Sequence, residues 1–269
     1  MIDTRSDTRI MAVFCDFENV ALGVRDAKIP TFDIRKVLER LLLKGNIVVK
    51  KAYCNWERYK EFKGGMHEAG FELIEIPHVR MSGKNSADIR MVVDALDLCY
   101  TKEHVDSFVV VSGDSDFSPL VAKLRENNKV VVGCGVKNST SDLLISACDE
   151  FIYYDDLVRG EQKTRVARRE KSAKAATKAP GGADDRRQEG IDLMIETAED
   201  LFAERDAEEK VWGSMVKQAI KRRKPGFNES YYGFKTFGNL LEEARDRKLI
   251  ELEFDAKSGG YIITRVAAG

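Results

Sequence analysis

The sequence predicts an α/β chain: a three-layer α/β/α sandwich on a mostly parallel sheet, followed by a small winged helix-turn-helix unit. Three observations predict it. Short apolar, β-branched runs alternate with helical periodicities through the first 158 residues. A basic stretch without a sustained apolar face follows at 159–189. Beyond it lie three helical patterns and then two alternating runs joined by a Gly-rich turn. Strand–helix alternation implies parallel strands covered by helices. Three helices followed by a hairpin give the winged pattern.

The elements run as follows. Ile10 to Cys15 is an apolar run too short for a helix and suited to a strand buried on both faces. Ile34, Val37, Leu38, Leu41 and Leu42 recur at helical spacing, with Thr31 as a candidate cap. Ile47 to Tyr53 is the next strand, and residues 57–69 read as a helix weakened by Gly64 and Gly65. Phe71 to Ile76 is a strand stopped by Pro77. Ser86 is placed to cap a helix whose apolar face is Ile89, Val92, Val93 and Leu96. Val105 to Val111 and Val130 to Val132 are further strands, followed by helices at 118–127 and 141–148, and Phe151 to Tyr154 is the last strand. In the final block, helices are expected from Ile191, over Val211 to Ile220, and over 236–248, with strands at Leu249 to Phe254 and Tyr261 to Val266. The expected domains are therefore 8–158, a linker at 159–189, and 190–266.

Composition narrows the function classes. The 269 residues are 43% hydrophobic, enough for a real core. No run approaches the ~18 apolar residues of a membrane span. The polar, charged first ten residues exclude a secretory signal peptide. Five cysteines without a C-x-x-C pair fit neither a disulfide framework nor a zinc ribbon, and point to a reducing, cytoplasmic setting. Three histidines, none spaced as a metal pair, leave carboxylates as the candidate metal ligands. Charge is segregated: residues 1–158 carry 21 basic and 25 acidic side chains, 159–190 carry 10 and 5, and 191–269 carry 13 and 15. A basic linker of this kind either contacts phosphates or is merely a solvated tether.

The chemistry-bearing residues lie where strands end. The first strand leads into Asp16-Phe-Glu18-Asn19, and the fourth into Ser112-Gly-Asp114-Ser115-Asp116. Ligands of open parallel sheets bind beyond the carboxyl ends of the strands. Asp88, in the first turn after Ser86, can face the same crevice. Each aspartate alone also has a plain role as a turn residue, a cap or a complement to a helix dipole. Together, four carboxylates in one cleft would repel strongly and are suited to a hard divalent cation, Mg²⁺ or Mn²⁺ rather than zinc. Such an ion activates water and clamps a phosphodiester. No G-x-G-x-x-G follows the first strand, and the chain has no Walker lysine motif and no G-x-S-x-G elbow.

Asp16-Phe-Glu-Asn19, Lys84-Asn-Ser-Ala-Asp88 and Ser112-Gly-Asp-Ser-Asp-Phe117 resemble the motifs of NYN domains, the LabA-like branch of the PIN-like ribonuclease superfamily. The resemblance implies a metal-dependent endoribonuclease with Asp16, Asp88, Asp114 and Asp116 as metal-site carboxylates. It also implies that Asn19, Ser112 and Ser115 shape the pocket and that Lys84 holds substrate phosphate. Asp94 matches a further acidic position, but it lies ~240° around the helix from Asp88 and is expected behind the metal site or in a structural role. Glu18 and Asp142 are weaker candidates. Trp212-Gly-Ser, Pro225-Gly-Phe-Asn228, Tyr232-Gly-Phe-Lys-Thr-Phe237 and Gly260-Tyr-Ile-Ile263 resemble the LOTUS, or OST-HTH, domain, which implies binding of RNA or a protein partner. Two alternatives remain: a catalytically silent RNA-binding or regulatory adaptor, and a metal-dependent phosphatase on small substrates. Lys221-Arg-Arg-Lys224 serves either as a phosphate patch or as a complement to its helix dipole.

Overall fold

Burial of β-branched runs against helices on two sides builds the N-terminal part of the chain. The computed structural model describes residues 8–76, 86–160, 183–204 and 209–267. Its contacts divide the chain into two units, Met1–Lys171 and Ser172–Gly269.

The first unit runs β1 (Arg9–Asp16), α1 (Phe17–Asp26), α2 (Ile34–Lys44), β2 (Gly45–Cys54), α3 (Lys60–Glu68), β3 (Glu72–Glu75), α4 (Ser86–Thr101), β4 (Ser107–Val111), α5 (Ser118–Glu126), β5 (Val130–Gly135), α6 (Asp142–Ala147) and β6 (Glu150–Tyr153). A helix over residues 154–160 (α7) follows. Every pairing in the six-stranded sheet is parallel, and the strand order is β3-β2-β1-β4-β5-β6. The α/β architecture with a parallel sheet agrees with the sequence reading. Strand alternation sorts the core into two layers. Met11, Val13, Cys15, Val109 and Val111 pack with α1, α2 and α3 through Val24, Leu41 and Met66. Ala12, Phe14, Phe108 and Val110 pack with α4, α5 and α6 through Met91, Leu124 and Leu144. The order reverses between β1 and β4, so a crevice opens at the carboxyl ends of these two strands.

Several expectations need correction. Helix α1 has no counterpart in the sequence reading, because Asp16 ends β1 and caps α1 with no loop between them. Thr31 does not cap α2; Asp33 does, accepting from the Arg35 N–H at 3.1 Å. Val105 lies outside β4, in a turn with its N–H on the Lys102 carbonyl. The cap position of α5 is Phe117, which makes no side-chain bond, and Pro119 sits in the first turn.

The second unit comprises α8 (Ala183–Glu204), β7 (Val211–Trp212), α9 (Gly213–Arg223), α10 (Phe237–Asp246), β8 (Ile250–Asp255) and β9 (Gly260–Val266). The strands form an antiparallel sheet in the order β7-β9-β8. Helix α8 begins well before Ile191, because its first two turns are polar and carry no apolar period. Val211 and Trp212 are not helical: they pair with Ile263 and Ile262. Phe227, Phe234 and Phe237 are buried, whereas Trp212 is only partly so.

Candidate active site

The direct passage from β1 into α1 leaves Asp16 at the head of the crevice. One of its carboxyl oxygens accepts from the Asn19 N–H at 3.4 Å, as a helix cap. The other accepts from the Ser112 hydroxyl at 3.0 Å, across 96 residues of sequence. Ser112 is fully buried, and its Oγ also accepts from the Asp114 N–H at 3.2 Å. Asn19 completes the link, its Oδ1 accepting from the Gly113 N–H at 2.8 Å. Two buried or half-buried polar side chains thus join the exits of β1 and β4 and fix the spacing of their carboxylates.

Beyond Ser112, Asp114 caps a single 3-10 turn, Ser115–Phe117, by accepting from the Asp116 N–H at 3.0 Å. Asp116 itself is exposed. The loop that leaves β5 packs directly beneath this turn: the Ser141 N–H donates to the Gly113 carbonyl at 2.9 Å. A Cβ on Gly113 would lie 2.4 Å from the Ser139 carbonyl oxygen, so only glycine fits there. The backbone of 139–141 is therefore a wall of the crevice. Its only signal in the sequence is the run of small residues Ser139-Thr-Ser141.

Electrostatics show which groups converge. Burial, then the Asp88 carboxylate, push Asp16 up to about 7; its bonds from Ser112 and Asn19 act the other way, and Asp114 adds to the rise. Asp88 is also raised, by burial first and then by Asp114, Asp116 and Glu18. Asp16, Asp88, Asp114 and Asp116 thus share one field, joined by Glu18. Among the described residues, none of the four is ion-paired to a lysine or arginine. Arg58 pairs with Glu18, the carboxylate beside the cluster, at 3.4 Å. Sequence reasoning passed over Arg58.

The other expected residues are placed differently. Asp94 turns away from the crevice into a structural cluster, accepting from the Tyr53 hydroxyl (2.8 Å), the Arg90 Nε (3.0 Å) and the Lys51 Nζ (3.4 Å). The bonds from Tyr53 and Lys51 tie α4 to β2 and hold the helix that carries Asp88. Asp142 is exposed at the start of α6, where Ser141 is the cap. Ser115 opens the 3-10 turn. Lys84 lies outside the described residues.

Among the described residues, no three His, Cys, Asp or Glu side chains stand close enough to close a metal shell. The donor chemistry nonetheless fits a hard cation: all-oxygen donors, excess negative charge, and one carboxyl held against ionisation by burial and then by its neighbours. An open carboxylate set suits Mg²⁺ in particular, because that ion keeps several waters and takes only one or two protein carboxylates together with substrate phosphate.

The family of NYN domains matches residues 10–155, more than half the chain and nearly all of the first unit. The chain belongs to the NYN family. NYN domains are PIN-like nucleases, a group whose members generally use divalent metals and bind RNA as substrate. The chain is similar to the uncharacterized protein MJ0482 of Methanocaldococcus jannaschii, 28% identical over 120 residues, 45% of this chain and 47% of that one. It spans about half the length of that curated relative. It is also similar to a protein of unknown function, VPA0982, from Vibrio parahaemolyticus, at 30% identity and a TM-score of 0.50, covering 56% of this chain and 96% of that structure. Among the described residues, no helix is long and apolar enough to cross a membrane.

Proposed function

We propose that the NYN unit is a divalent-metal-dependent endoribonuclease that cleaves RNA phosphodiester bonds. The observation that carries this reading is the carboxylate cluster at the β1–β4 crevice, without an ion pair among the described residues and with Asp16 pushed up to about 7 by burial and by Asp88. Asp16, Asp88, Asp114 and Asp116 would hold Mg²⁺ or Mn²⁺, which supplies charge stabilisation at the scissile phosphate and an activated water. Ser112 and Asn19 orient Asp16 and lock the two strand exits. Arg58, at the rim, and Lys84 are the cations for neighbouring phosphates. A carboxylate of the cluster accepts the proton released by water. Cytoplasmic action is part of the reading.

We further propose that residues 190–266 form a LOTUS-type winged-helix module that binds RNA or a protein partner. The order helix, short strand, two helices and hairpin, with β9 central in the small sheet, supports it. Tyr231 is exposed and stacked beneath the Arg186 guanidinium, and an exposed ring of this kind can stack on an unpaired base. Tyr232 is buried against Phe227 and belongs to the core.

The test is incubation of the purified chain with a panel of RNAs in Mn²⁺ or EDTA. The expected result is internal cleavage in Mn²⁺ and none in EDTA. RNA binding without cleavage in any divalent metal would support the silent adaptor instead. Release of phosphate from small esters with intact RNA would support the phosphatase.

A further inference from the structure

The outward face of α4 is apolar where a solvent-facing helix should be polar. Of the eight large hydrophobic side chains exposed among the described residues, three lie on this one helix: Ile89 (63%), Val93 (55%) and Tyr100 (61%). At ~100° per residue they fall within about 40° of one another, opposite Met91 and Ala95, which face the sheet. Half-buried Leu96 borders the stripe on one flank. Exposed Arg90 and Asp97 stand on the other flank, each about 40–60° round from Val93.

We propose that α4 is the contact face of a homodimer, packed antiparallel on α4 of a second copy about a two-fold axis beside Val93. Charge placement selects this occupant. The two-fold axis of an antiparallel helix pair brings each flank against the same flank of the other copy. Arg90 and Asp97 are seven residues apart with the axis midway, so Arg90 of each copy faces Asp97 of the other. On the opposite flank Ile89 meets Leu96, and the two Val93 side chains meet at the axis. A parallel two-fold pairing would instead set the Arg90 and Asp97 flank against the apolar Leu96 flank of the other copy and leave both charges without a partner. Among the described residues Asp97 has no ion pair, and Arg90 spends only its Nε on Asp94 and keeps its terminal nitrogens for a second carboxylate. An apolar stripe flanked by one complementary charge pair is the face of a coiled-coil-like contact. Asp88 lies about 140° round the helix from Val93, so the contact leaves the carboxylate crevice open. The proposal does not depend on the nuclease reading.

Sedimentation velocity of the full chain over a wide concentration series tests it. The expected result is a monomer–dimer equilibrium. Val93→Asp places two carboxylates at the axis and should raise the dimer Kd at least about tenfold. Asp97→Arg, which sets like charges face to face, should weaken the dimer as well. The double swap Arg90→Asp with Asp97→Arg should restore it. All three positions are exposed, so thermal melts serve as the control for folding. A wild-type chain that stays monomeric throughout would overturn the proposal. So would a dimer indifferent to Val93→Asp, or a double swap that restores nothing.

Discussion

In the NYN unit Asp16 and Asp88 are held above the usual carboxylate range, whereas in the C-terminal unit Glu229 and Glu242 are held below it. Burial acts upward on Asp16, Asp88 and Glu229 alike; the difference lies in the partners. Glu229 overcomes its partial burial through the Lys217 ammonium, 2.7 Å away, and Glu242 accepts from the Tyr261 hydroxyl and from Asn239. Asp16 and Asp88 have mostly other carboxylates for company. A fold selected only for stability pairs its charges, as the second unit does. A cluster without an ion pair among the described residues, in a crevice at the reversal of strand order, is the arrangement expected where a ligand supplies the missing charge.

The most severe way to break this contrast is to remove a charge from the cluster. Asp16→Asn keeps the volume of the side chain and the bond from Ser112, but not the ligand charge. Mn²⁺-dependent RNA cleavage should fall by about two orders of magnitude or more. Full activity in a well-folded, contaminant-free variant would sink the assignment of the cluster.

Next in size is the effect on stability without metal. The folded-state value of Asp16, about 7, lies above the ordinary 3.8 expected when unfolded, so the folded state binds the proton more tightly. The stability this contributes is fully present below pH ~4 and is lost as pH rises through 7. The penalty above pH 7 is on the order of 4 kcal/mol. In EDTA, the melting temperature of the wild type should therefore climb as pH is lowered from 8 to 5 relative to Asp16→Asn, and the variant should be the more stable of the two at pH 8. Parallel pH–melting curves would mean that Asp16 is not ionised against its neighbours. Metal added at pH 8 should stabilise the wild type more than the variant.

How far these features are legible in the sequence depends on the range of the interaction. The doubly covered strands announce themselves as β-branched runs, because parallel strands are buried on both faces. The position of Asp94, turned from Asp88, follows from helix geometry alone. Helix α1 escapes notice because one residue, Asp16, serves as both strand end and cap, so no turn signal separates the two. The Ser112–Asp16 bond joins residues 96 apart and becomes visible only once β1 and β4 are neighbours. The wall at 139–141 is hidden for the same reason. In the second unit, Trp212 and Val211 read as helical until β9 draws them into the sheet.

A smaller effect separates the labour of the two units. Residues 1–158 alone should retain metal-dependent cleavage but bind RNA more weakly or with less preference, since two linked weak sites gain from effective concentration. Comparing the full chain with this fragment on one RNA panel measures the difference. Identical affinity and preference would mean that the second unit recruits a protein. Loss of cleavage in a folded fragment would place part of the active site outside it.

The smallest expected effect lies in the basic end of α9, where the sequence shows four equivalent cations and the structure does not. Arg223 is paired with Asp200 at 2.7 Å and is largely covered. Arg222 is partly buried, and its guanidinium is lowered by that burial and by Arg223. Only Lys221 and Lys224 are exposed. Neutralising those two should flatten the salt dependence of RNA binding by up to ~0.7 per contact on a log–log plot, while leaving the melting temperature unchanged. Arg223→Ala should do the reverse, lowering stability by about 1 kcal/mol or less with little change in slope. If both changes flatten the slope equally, Arg223 leaves Asp200 to reach phosphate, and the pairing that distinguishes this unit from the crevice gives way when RNA binds. If neither does, the second unit contributes no phosphate contact through α9, and Tyr231 with Arg186 is left as the surface for a partner.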